Sequence, residues 1–82
     1  MSRPNWSRPL PRPIDIPDVM TIATLADARA LIRHLPAGHA ERQTWRHVAQ
    51  ALAAAAGGAD IADAAIALRL ALMIERVPCR LQ

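Results

Sequence analysis

The 82-residue, 8.9 kDa chain is long enough for one small domain and too short for two. Hydrophobic residues make up 52% of it, which excludes wholesale disorder, but alanine is the commonest of them and Trp6 and Trp45 are the only aromatics, so any core is thin. The ten basic residues, all Arg, outweigh seven acids to give +3; Arg3, Arg8 and Arg12 against Asp15 put most of that surplus in residues 1–17, leaving a nearly neutral body.

Five of the seven prolines (Pro4, Pro9, Pro11, Pro13 and Pro17) stand in the first 17 residues. Residues 1–13 therefore read as an extended, disordered Pro/Arg-rich arm ahead of a single small domain over 14–82. The run Arg8 to Pro13 resembles a polyproline ligand. Its prolines recur every second residue, however, whereas a polyproline helix repeats every third, so a linker is the better reading. Ile14-Asp15-Ile16 and Val19-Met20-Thr21-Ile22 are short β-favouring runs on either side of Pro17-Asp18, which suits a tight turn. A β-hairpin or a single edge strand is expected there.

Three helices should follow, over about 25–35, 40–56 and 61–77. Thr24 with Asp27 makes a capping box for the first, whose apolar face is Leu25, Ala28, Leu31, Ile32 and Leu35; Pro36-Ala37-Gly38 ends it. The second carries Trp45, Val48, Ala49, Leu52, Ala55 and Ala56 on one face and stops at Gly57-Gly58. Asp60 caps the third, and Asp63 adds a negative charge near the positive end of its dipole.

The third helix shows two apolar stripes, Ile61, Ala65, Leu68, Leu72 and Ile66, Leu70, Met73, Ile74, Val77, with Ala64, Ala67 and Ala71 as a flat strip between them. A helix that is apolar on every side must be covered on every side. Two short helices and a hairpin of ordinary diameter cover about two-thirds of it. A homodimer is therefore expected, with Ala64, Ala67, Leu68, Ala71 and Leu72 at its interface; the alternative is a compact monomer in which the hairpin closes the remaining side.

Few residues offer chemistry. His34, His39 and His47 are spaced five and eight apart, so no two share a helix face as zinc ligands would, and Cys79 is remote. Ser2 and Ser7 lie in the arm, where nothing rigid holds a base against them. Asp27, Asp60 and Asp63 are accounted for as helix starts, and Gly57-Gly58 is a terminator, not a phosphate loop. No catalytic, metal-binding or cofactor-binding residue is expected, and an enzyme is not. One cysteine allows no internal disulfide, no uninterrupted apolar stretch is long enough to span a bilayer, and a soluble cytoplasmic protein is the expectation.

Nucleic-acid binding is the one specific alternative. The first two helices and their Pro/Gly turn resemble a helix-turn-helix, and Arg42, Gln43, Arg46, His47 and Gln50 share the outward face of the second helix. The same residue types are ordinary on a solvated helix, and the neutral body weighs against this reading.

The order of a β-prone opening, Thr24-Leu25-Ala26-Asp27-Ala28, Leu35-Pro36, Trp45 with Ala49, and Gly57-Gly58 before an Ala-rich helix resembles the small alphaproteobacterial proteins grouped as domain-of-unknown-function family 982. The likeness covers roughly residues 14–77 and rests on packing positions. It implies a hairpin followed by helices and no assigned activity. The expectation from sequence is a mainly α (α+β), non-catalytic protein: an interaction or oligomerisation module using its third helix, as a homodimer or with another protein. The alternative is a weak nucleic-acid binder using the second helix and the arm.

Overall fold

In a computed structural model the described residues are 3–17, 19–35, 38–39, 41–77 and 79–81. They form an α+β domain in the order β1 (Pro9–Ile16), β2 (Met20–Thr24), α1 (Leu25–Arg33), α2 (Gln43–Ala56), α3 (Ile61–Ile74) and β3 (Arg80–Leu81). The expected hairpin and three helices are present, each helix shorter than its hydrophobic pattern suggested. Asp18, Pro36, Ala37, Ala40 and Pro78, on which parts of the turn and helix-end expectations fell, lie outside the described residues.

The sheet runs β2-β1-β3, with both pairings antiparallel. Val19 N–H donates to the Ile16 carbonyl at 3.0 Å and closes the hairpin turn. Ile14 faces Ile22, Asp15 faces Thr21 and Ile16 faces Met20, but Pro9 faces Thr24, so β1 bulges between Pro9 and Ile14. Pro11 and Pro13 stand inside that bulge, where a strand can do without the N–H groups they lack. β3 adds only two pairs, Leu81 to Ile14 and Arg80 to Asp15, the second backed by an Arg80–Asp15 contact of 3.6 Å.

The arm boundary needs correcting. Residues 9–13, expected to be disordered, belong to β1, and the residues before them are strapped across two helix ends. The Arg8 and Trp6 carbonyls accept from Leu25 and Ala26 N–H at 3.0 and 2.9 Å, satisfying two of α1's otherwise unpaired first donors. Asn5 N–H donates to the Ala56 carbonyl at 2.7 Å, and Arg8 Nη1 donates to the Ala55 and Ala59 carbonyls at 2.6 and 2.8 Å. A guanidinium thus sits on the negative end of α2. Trp6 is half-buried under Arg29, whose guanidinium carbon lies 4.7 Å from the ring centroid.

The expected caps are in place. Thr24 Oγ1 accepts from Asp27 N–H, and Asp27 Oδ2 accepts in return from Thr24 and Ala23 N–H. Asp60 accepts from Ala62 N–H at the start of α3. α2 ends in a Schellman turn, with Gly58 at φ +117°, Ala59 N–H on the Ala54 carbonyl and Gly58 N–H on that of Ala55. β1 packs on α3, β2 on α1, and α2 lies against both other helices. Leu10, Ile14, Ile16 and Ile22 of the sheet meet Leu25, Trp45, Val48, Leu52, Leu68 and Leu72 in one core, and no charged or polar residue is buried among those described.

Candidate functional site

The interface expected from sequence must be moved. Ala64, Ala67, Leu68, Ala71 and Leu72 are all buried within the chain's own core. Their side of α3 is covered by α2 and β1, so Ala64, Leu68 and Leu72 cannot meet a second molecule without unfolding the first, and Ala67 and Ala71 reach only the floor of a groove beside α2. The small alanines do serve close helix approach, but the helix that approaches is α2 of the same chain.

The other stripe stays uncovered. Ile66, Leu70, Met73 and Ile74 are 54%, 52%, 68% and 65% exposed, and with Val19 they are the large hydrophobic residues left at the surface among those described. In the single chain α3 therefore meets water along one flank, contrary to the expectation that it is covered on every side. Asp63 also marks this flank. It is exposed and lies three, seven and eleven residues before Ile66, Leu70 and Ile74, which at helical spacing places it in line with them. That charge was the available signal for which stripe faces solvent.

The relief around the flank is a ridge between two grooves. On one side a cleft of about 220 Å³ separates α3 from β1, lined by Arg12, Ile14, Ala65, Ile66 and Arg69. On the other, a shallow groove of about 300 Å³ separates α3 from α2, lined by Gln43, Thr44, His47, Ala67, Leu70 and Ile74.

At its far end α3 closes in a second Schellman turn. Val77 N–H donates to the Leu72 carbonyl at 2.8 Å and Arg76 N–H to that of Met73 at 3.1 Å. The residue that must turn left-handed there is Arg76, at φ +56°, the only non-glycine residue with positive φ among those described. Arg42, the residue just before α2, bonds Glu75, the residue just after α3, at 2.9 Å and ties the ends of the two helices together.

The structure does place Arg42, Gln43, Arg46, His47 and Gln50 together on the exposed face of α2. Arg42 is engaged by Glu75, however, and the α1–α2 connection spans 34–42, far longer than the helix-turn-helix link of about three or four residues. His34 and His47 are exposed on helix ends or faces, His39 is partly buried in the connection, and Cys79 is exposed. Among the described residues no three His, Cys, Asp or Glu side chains gather as metal ligands would, and no helix is long and apolar enough to cross a membrane. Comparison with protein-family models, curated proteins and solved structures finds no match to the chain.

Proposed function

We propose that this is a small non-catalytic oligomerisation module that self-associates through the exposed flank of α3. The observation that carries the reading is the four-residue apolar stripe Ile66, Leu70, Met73, Ile74, which gathers all the large exposed hydrophobic residues but Val19 among those described. Such a contiguous patch is the usual mark of a protein contact. Covering each side chain is worth roughly 1–2 kcal/mol before the entropy of association. The protein would work in the cytoplasm, where exposed Cys79 stays reduced. Kinship with family 982 is part of the same proposal; it rests on the packing positions that resemble that family, and the hairpin-then-helices order is consistent with it.

Sedimentation at micromolar concentrations tests it. The wild-type chain should run as a dimer, and Leu70→Asp or Ile74→Gln as a folded monomer, since neither side chain belongs to the core. A monomer at high micromolar concentration would sink the proposal. Nucleic-acid binding through α2 is the weaker reading; salt-sensitive binding to random duplex DNA, lost in Arg46→Glu, would favour it instead.

A further inference from the structure

We infer that the groove between α1 and α2 binds a small amphipathic anion, its apolar body on the groove floor and its carboxylate or phosphate at Arg29 and Arg33. The inference goes beyond self-association and does not depend on it, since no residue of α3 lines this groove.

Three observations carry it. First, the hollow has the size and walls of a ligand site. It holds about 360 Å³ and is bounded by Arg29, Ile32 and Arg33 of α1, by Ala49 and Leu52 of α2, and by Trp6 of the N-terminal strap. Small-molecule pockets start at about 300 Å³ and are mostly apolar with a few convergent polar groups. Leu52 is buried and Ile32 half-buried, so the floor is aliphatic.

Second, the charges at the rim are of one sign. Arg29 and Arg33 are the titratable residues of the lining, and no carboxylate pairs with either among the described residues. The acid of α1, Asp27, is held in the capping box at the start of the helix. The two arginines stand four residues apart, about 6 Å along the axis, which lets both guanidinium groups reach one anionic head.

Third, Arg29 is already held in place. Its guanidinium carbon lies 4.7 Å from the Trp6 ring centroid. Trp6 packs against the core, and its carbonyl accepts from Ala26 N–H, so the ring is anchored to the same helix. A cation seated on an anchored ring loses little freedom when an anion arrives, and the ring leaves its charge in place. Arg33 also complements the negative end of α1, yet an exposed guanidinium has donors enough for a second contact.

Amide shifts in NMR titrations test the site with octanoate, a carboxylate on a chain, and phenyl phosphate, a phosphate on a ring. At least one should move the Arg33 and Ala49 signals with a Kd of about 1 mM or tighter, and the tighter of the two identifies the head group. Inorganic phosphate, the head alone, and octanol, the body alone, should each bind at least about tenfold more weakly. Arg33→Gln should raise Kd about tenfold, and Ala49→Phe, which fills the groove, should abolish binding. Both positions are exposed, so both variants should keep the wild-type spectrum elsewhere. Leu70→Asp should bind as wild type. The proposal is overturned if neither probe moves the groove signals, if Arg33→Gln or Ala49→Phe binds as tightly as wild type, or if Leu70→Asp abolishes binding, which would put the probe on α3. Sedimentation decides the dimer separately, so either reading can fail without the other.

Discussion

Trp45 shows how much of this fold rests on single side chains. It is 1% exposed and is the largest side chain in the core, yet its indole N–H has no hydrogen-bond partner among the described residues. Its volume, not its polar atom, is what the core uses. Trp45→Ala should therefore cost about 3–5 kcal/mol, read as a fall in urea midpoint, and a domain of this size has little more than that to lose. The residue was legible in the sequence because Val48 and Leu52 repeat at helical spacing beside it. The burial of Leu68 rather than Leu70 was less so. Both lie on apolar stripes of equal strength, and only Asp63, in line with Leu70, separates the wet stripe from the dry one.

Helix starts are written locally, and strand partners are not. Thr24 with Asp27 and Asp60 with Ala62 N–H are contacts between residues two or three apart, so α1 and α3 could be placed from sequence to the residue at their N-termini. β1 could not. Proline-rich residues 9–13 have poor strand propensity and join the sheet only because β2, more than ten residues away for Pro9, supplies the pairing. β3 is further still from its partner, at two residues against Ile14 and Asp15. The strap formed by residues 5–8 depends on contacts of the same distant kind. Arg8 reaches carbonyls at Ala55 and Ala59, and no local pattern announces this. Arg8→Met, which keeps the aliphatic stem and removes both bonds, should lower stability by about 1–2 kcal/mol. Thermal or urea unfolding measures it. An unchanged midpoint would mean that the guanidinium adds nothing to the end of α2.

For the molecule as a whole, the balance of covered and uncovered apolar surface decides its behaviour. A chain of 82 residues closes one core around α2 and leaves the outer flank of α3 unserved. If a second copy serves it, folding and association are linked. The melting temperature should then climb across a dilution series from low to high micromolar, and stay flat for Leu70→Asp. The interface residues expected from sequence and the exposed stripe found here lie on the same helix and on different faces of it. The reason is geometric, because the alanine strip that invites a neighbouring helix is already taken by α2.

The bulge in β1 has a consequence for how safely such a chain can be crowded. Toward the N-terminal side of Ile14, β1 has no described neighbour on its β3 side, and a bare strand in an Ile- and Ala-rich protein is a template for fibril growth. Pro9, Pro11 and Pro13 withhold the amide hydrogens that an incoming strand would need to zip alongside. The same imino acids that disguise this strand keep strangers from extending it.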